Sequence, residues 1–251
     1  MLRKAASNPR PLLAILLILL LLAIGGLLAW ANSPSGQVMP QARKALASDE
    51  RVVVNRERWI VFEPRSGLSS TSFIFYPGGR VQAEAYAPLG KALANEGYRA
   101  IVVPMPFNLA ILAPDAADDV IAAFPQVARW VIGGHSLGGV MAARYANSHP
   151  GRIDGLVLVA AYPEAGLDLS RSGFAVATIY AALDGLSKPS QIEESFRYLP
   201  PDAIKLMIAG GNHAGFGWYG PQAGDNPPAI SRQEQHARFF QAILAFLQEA
   251  G

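Results

Sequence analysis

The chain has 251 residues, enough for one α/β domain of ordinary size with a well-buried core and no need of a second domain. It contains no cysteine, which excludes disulfides, a thiolate nucleophile and cysteine-ligated metals while leaving export open. Arg3, Lys4 and Arg10 carry much of the formal +2 charge. Residues 32–251 hold 18 basic against 19 acidic side chains, about −1, so no basic patch points to nucleic acid.

Behind that basic flank lies an uncharged, leucine-dominated run from Pro11 to Ala31. Leu12 to Trp30 would cover roughly 28 Å as a helix, close to the hydrocarbon thickness of a bilayer, so residues 1–31 read as a transmembrane anchor with its basic flank cytoplasmic. The domain that follows is then expected outside the cytoplasmic membrane. The alternative is a cleaved signal peptide, with Gly25-Gly26 breaking the helix and Ala29-Trp30-Ala31 as the cleavage site, which would make the protein secreted.

Residues 32–50 open on the polar stretch Asn32-Ser33-Pro34-Ser35-Gly36 and read as a linker with a helical turn around Gln41 to Ala47; the main domain spans 51–251. Within it, Val52 to Val54, Trp59 to Phe62, Ser72 to Tyr76, Ala100 to Val103, Ala128 to Ile132, Gly155 to Ala161, Phe174 to Tyr180 and Ala203 to Ile208 are predicted strands. Helices are predicted over Gln82 to Asn95, Ala116 to Phe124, Gly139 to Asn147 and Arg232 to Leu247. Continuous apolar strands separated by helices predict an α/β fold with a mostly parallel sheet covered on both faces. Only Tyr162 to Gly173 separates two of these strands, too short for a lid domain.

Gly134-His135-Ser136-Leu137-Gly138 falls between a strand and a helix. A strand-to-helix turn this sharp forces its central residue into a sparsely populated conformation and removes the space for side chains two positions either side, which the two glycines satisfy. It presents the Ser136 hydroxyl at the start of a helix, where N-terminal amides favour developing negative charge. The plainer alternative is a serine that merely caps the helix.

A serine hydroxyl needs a base, and the base an orienting acid. His213, in Gly210-Gly211-Asn212-His213 just beyond the last strand, is placed as the base. His135 reads as packing, His149 as a helix end, and His236 as a solvated position in mid-helix. Asp184, just past the Phe174 to Tyr180 strand, is the candidate acid. Asp168 and Asp202 precede their strands and Asp225 lies well past the histidine, which makes all three weaker candidates. Oxyanion donors are expected from the Leu137 N–H and from Pro77-Gly78-Gly79-Arg80, with the Gly79 N–H favoured and Arg80 next.

This series, with Ser136, Asp184 and His213 in that order, resembles the α/β-hydrolase superfamily. Phe75-Tyr76-Pro77-Gly78-Gly79, the elbow at 133–139, Asp184-Gly185 and Gly210-Gly211-Asn212-His213 with Phe216-Gly217 resemble its small lidless branch, the fold-5 hydrolases related to dienelactone hydrolases. The resemblance implies an eight-stranded sheet and cleavage of a carboxylic ester through an acyl-serine. Dienelactone hydrolases proper use a cysteine, which this chain lacks, so their substrate does not carry over. The expected activity is a membrane-tethered serine esterase on a small-molecule acyl substrate. Acyl transfer by the same triad and a non-catalytic binding role are the alternatives. No phosphate loop, metal-binding cluster or dinucleotide fingerprint occurs, so no cofactor and no metal are expected. Phe107, Leu109, Ile111 and Leu112 are placed either in an apolar acyl pocket or in the core, and Trp218 and Tyr219 near the entrance.

Overall fold

The computed structural model describes residues 10–249. In chain order its elements are helices α1 (Arg10–Asn32) and α2 (Pro40–Ala45), strands β1 (Val52–Asn55), β2 (Ile60–Pro64) and β3 (Thr71–Tyr76), helix α3 (Ala87–Asn95), strand β4 (Arg99–Val102), helix α4 (Ala116–Ala123), strand β5 (Arg129–His135), helix α5 (Leu137–Ser148), strands β6 (Gly155–Val159) and β7 (Ala175–Ala181), helix α6 (Pro189–Ser195), strand β8 (Ile204–Ile208) and helix α7 (Arg232–Glu249). The strands form one eight-stranded sheet in the order β1-β2-β4-β3-β5-β6-β7-β8. The pairings β1–β2 and β2–β4 are antiparallel and all the others parallel.

The continuous apolar runs are explained by burial on both faces. Every residue of β3 is buried, and its side chains alternate between two cores. Phe73 and Phe75 join Tyr86, Leu89, Leu93, Phe239, Ile243 and Phe246 on the α3 and α7 side. Ile74 and Tyr76 join Ala117, Val120, Met141 and Tyr145 on the α4 and α5 side. Each such aromatic or aliphatic side chain contributes about 1.5–3 kcal/mol on burial.

Several sequence expectations shift. The helix expected over Gln82 to Asn95 divides into a 3-10 turn at Ala83–Tyr86 and α3, with Pro88 in the first turn of α3. Proline lacks an N–H and fits a helix only there. The run Ala203 to Ile208, expected to be buried, is an edge strand, and Ile204 and Met207 are exposed, with no further strand pairing β8 among the described residues. Residues 32–50 are packed against the domain: Ala42 is fully buried, and the Met39 N–H donates to the Trp218 carbonyl at 2.9 Å.

Among the described residues no helix is long and apolar enough to cross a membrane. This does not support the span expected over Leu12 to Trp30. Arg3 and Lys4 lie outside the described residues. What the helix does present is leucine and isoleucine on all sides, most of them more than half exposed.

His236, expected in solvent, is buried in α7 against Trp218 and Phe239, with ring centroids 5.6 and 5.9 Å away, and its Nε2 has no hydrogen-bond partner among the described residues. Burial and then the Arg232 charge lower its pKa to about 4. Because the unfolded value is near 6.5, the unfolded chain binds the extra proton. Stability is therefore full above pH 6.5 and falls as pH drops toward 4, by roughly 3 kcal/mol. His236→Leu is expected to reduce the loss of urea midpoint between pH 7 and pH 4.5; an unchanged loss would show that His236 does not drive it.

Candidate active site

The strand order reverses between β3 and β5. The chain leaves β3 for β4 on one side and returns to β5 on the other, so the loops after β3 and β5 face each other across a crevice at the carboxyl edge of the sheet. Residues 77–80 follow β3 and Ser136 follows β5. The loops after β7 and β8 reach the same edge with Asp184 and His213.

Ser136 has φ 52° and ψ −123°, a region that costs a non-glycine residue about 1–3 kcal/mol. It stands at the N-cap of α5 without making a side-chain capping bond, which removes the plainer reading of the serine. Its N–H donates to the Val159 carbonyl at 2.8 Å, extending the β5–β6 pairing into the turn. A Cβ on Gly134 would lie 2.4 Å from Gly138 C, and one on Gly138 would lie 2.2 Å from the Tyr76 carbonyl oxygen. Both contacts are prohibitive against rigid backbone, so the elbow exists only with glycine at both places.

Asp184 and His213 are brought together. His213 Nδ1 donates to Asp184 Oδ2 at 2.8 Å, and the two side chains are 1% and 0% exposed. Asp184 Oδ1 accepts the N–H groups of Leu186 (2.8 Å) and Ser187 (2.7 Å), which orients the carboxylate. With Nδ1 carrying the proton, the neutral ring keeps Nε2 as an acceptor. Ser136 Oγ and His213 Nε2 form no hydrogen bond with each other, but the elbow and His213 adjoin: the rings of His135 and His213 have centroids 4.5 Å apart.

The other acids are placed elsewhere. Asp168 lines a cavity of about 780 Å³ with Arg129 and Phe174, at the opposite edge of the sheet. Asp202 is exposed before β8. Asp225 meets backbone N–H groups, not the imidazole ring.

The loop after β3 has one uncommitted donor. Gly78 N–H donates to Tyr86 Oη at 3.0 Å and Arg80 N–H to the Asn108 carbonyl at 2.7 Å, whereas the Gly79 N–H has no partner among the described residues. A Cβ on Gly79 would lie 3.3 Å from Leu137 Cδ2, so the two backbones expected to supply donors are neighbours.

Sequence reasoning placed His135 as packing and missed what it packs for. Its Nδ1 lies 2.8 Å from Tyr86 Oη, and with Gly78 N–H on the oxygen, the phenol directs its own hydrogen to the ring. Burial holds the phenol pKa well above its ordinary range, which keeps that hydrogen in place. Burial, then the His213 charge, hold the His135 pKa well below the usual value, against a smaller opposing effect of the His213 backbone. Gln235 and Arg232 were also missed. Gln235 Oε1 accepts the Asn212 N–H at 3.0 Å while Nε2 donates to the Asn212 carbonyl at 2.7 Å; Arg232 donates to the carbonyls of Ala214 and Gly217. A polar residue in a helix pattern carries no sign that it grips a distant loop. Tyr219 is buried and not at an entrance, whereas Phe107, Ile111 and Leu112 are exposed and not in the core.

Residues 72–237 match the model of the alpha/beta hydrolase family. The chain belongs to that family. No curated protein matches it in sequence. Among solved structures it resembles an alpha/beta hydrolase from the sediment metagenome of the Mar Chica lagoon, Morocco (14% identity, 80% of this chain and 99% of that one, TM-score 0.59). It also resembles a thermophilic esterase from Thermogutta terrifontis (14%, 81% and 99%, 0.58) and a monoacylglycerol lipase from Paleococcus ferrophilus (16%, 72% and 95%, 0.57). At these identities the likeness is one of fold. The alpha/beta hydrolase fold hosts many activities, so function has to be argued from the side chains at its carboxyl edge.

Tyr86→Phe leaves Gly78 N–H and His135 Nδ1 buried without partners. It is expected to cost roughly 1–3 kcal/mol of stability and to slow labelling of Ser136 by a fluorophosphonate about tenfold. A lowered melting temperature with unchanged labelling would confine Tyr86 to stability.

Proposed function

We propose that this alpha/beta hydrolase is a serine esterase that cleaves a carboxylic ester through an acyl-serine. The observation that carries the reading is the joint presence of a strained, uncapped Ser136 and a buried Asp184–His213 pair at one edge of the sheet. A caps-only serine has no need of the strain, and a structural histidine has no need of a buried carboxylate on Nδ1.

In the proposed reaction Ser136 Oγ attacks the ester carbonyl as its proton passes to His213 Nε2. Asp184 holds the tautomer and stabilises the imidazolium. The carbonyl oxygen, now an anion, lies against the N–H groups of Leu137 and Gly79, at the positive end of α5. Collapse expels the alkoxide, which leaves as the alcohol with the proton from His213. Water then repeats the sequence on the acyl-serine and restores the hydroxyl. Among proteins of similar fold, a thermophilic esterase and a monoacylglycerol lipase agree with this substrate class.

We further propose that α1 tethers the enzyme to a lipid bilayer, with the domain outside the cytoplasm. The support is the chain's own surface: a sleeve of exposed leucine and isoleucine far larger than the apolar patches a soluble monomer carries. The end of α1 is fastened to the site. Arg80 stacks over Trp30 at 4.4 Å from the ring centroid and donates to the Ser33 carbonyl (3.0 Å) and Oγ (2.9 Å).

Ser136→Ala is expected to abolish hydrolysis of p-nitrophenyl esters and fluorophosphonate labelling while the circular dichroism spectrum stays that of the parent. A tenth of the parental rate surviving would refute the assignment. His213→Gln is expected to lose at least 10³-fold in kcat, and acyl transfer to an added alcohol in place of hydrolysis would redirect the reading to a transferase. For the tether, the full chain is expected in the membrane fraction after carbonate washing and a chain lacking residues 1–31 in the soluble fraction. A mature N-terminus at Asn32 would instead mean cleavage and secretion.

A further inference from the structure

Asp225 lies 12 residues beyond the base and about 40 beyond the acid, yet it touches the loops of both. Its Oδ1 accepts the N–H of Gly185 at 3.1 Å, the N–H of His213 at 3.2 Å and its neighbour Asn226 N–H at 2.9 Å; Oδ2 accepts the N–H of Ala214 at 2.9 Å. A turn-forming aspartate binds N–H groups of its own turn, and only the Asn226 contact is of that kind. The other three bonds join the residue after Asp184 to His213 itself and to the residue after it.

The surroundings are built for this contact. The 224–226 segment approaches Gly185 so closely that a Cβ there would lie 2.5 Å from the Gly224 oxygen and 2.9 Å from Asn226 N. Asn212 Nδ2 donates to the Asn226 carbonyl at 2.8 Å, a second tie between the segment and the base loop. Bonds from N–H groups to an ionised carboxylate are roughly twice as strong as neutral ones, and Asp225 uses both of its oxygens for them, three on Oδ1 and one on Oδ2.

We propose that Asp225 is the positioning residue that sets the Asp184–His213 pair by fixing the loops after β7 and β8 against each other. The two loops follow separate strands, and β7–β8 pairing ends at Ala181 and Ile208, three and five residues short of the side chains that must meet at 2.8 Å. Beyond the pairing, the Leu183 N–H to Gly211 carbonyl bond at 2.8 Å is the direct backbone tie, and it stops before either side chain. Asp225 supplies the tie at the side chains themselves. It rests on the triad reading only for its kinetic consequence, not for its structural one.

The test has two arms. In the first, the low-field proton NMR signal of His213 Nδ1–H, assigned by its loss in His213→Gln, is followed directly. Asp225→Ala is expected to remove it, and its persistence unchanged would overturn the proposal whatever the enzyme does. In the second, Asp225→Ala is expected to lower kcat on a p-nitrophenyl ester about 100-fold, the loss typical of a misplacement of about 1 Å, with KM within about twofold. The same substitution in an Asp184→Asn background, where the pair is already broken, is expected to cost under about threefold more. Equal losses in both backgrounds would mean that Asp225 merely stabilises the fold, which a double-substitution cycle separates from coupling. If Asp225→Ala does not fold, Asp225→Asn replaces it: Oδ1 is kept for Gly185 and His213, Nδ2 meets the Ala214 N–H, and about tenfold with the same coupling is expected. Undiminished hydrolysis by Asp184→Asn would overturn the triad reading and leave the NMR arm to decide on Asp225.

Discussion

The site depends on one close approach, that of α5 to the ends of β3 and β5. Gly138 lies so near the Tyr76 and Pro77 carbonyls, and Gly134 so near Gly138, that helix and strands are in backbone contact. That contact turns the chain through Ser136 in a conformation that would relax if either glycine carried a side chain. The strain of about 1–3 kcal/mol is offset by the packing around it: β5 is central in the sheet, buried from Trp130 to His135, and α5 lays Met141, Ala142 and Tyr145 into the core. The serine is held up because the helix cannot back away.

The same approach gathers the remaining machinery. The loop after β3 is pinched between the elbow and the Tyr86 phenol, which leaves Gly79 as its free N–H beside Leu137. His135, the residue before Ser136, is hydrogen-bonded to Tyr86 and packs against the ring of His213. The carboxyl edge thus carries a cluster of buried polar side chains over an apolar floor of Phe75, Phe216 and Phe239. Its members restrict one another because buried polar groups without partners are costly.

The loop that carries His213 is held from several directions. Asp184 takes the ring, Asp225 the backbone, Gln235 and Arg232 the flanking peptides from α7. His213 is buried although β8, the strand before its loop, is largely exposed. Hydrogen bonds from elsewhere in the chain add to its packing against His135. Arg80 makes a comparable link on the opposite side, between the loop after β3 and the end of α1.

What the sequence determined by itself was local. Period, breakers and run length placed eight strands and the long helices to within a few residues. The G-x-S-x-G elbow was legible because its constraint acts between residues two apart, and the placement of Ser136, Asp184 and His213 at one edge was legible because parallel topology puts strand ends there. What the tertiary structure decided were relations between residues far apart in the chain: that Gly79 and not Arg80 keeps an N–H with no partner among the described residues, that His236 is buried and Tyr219 with it, that β8 is an edge, and that Asp225, a weaker candidate for the acid, bonds to the loops of both Asp184 and His213. Each depends on which backbone groups meet across 12 to 50 residues of chain. No periodicity records such meetings, because a hydrogen-bonded carboxylate and a solvated one are the same letter.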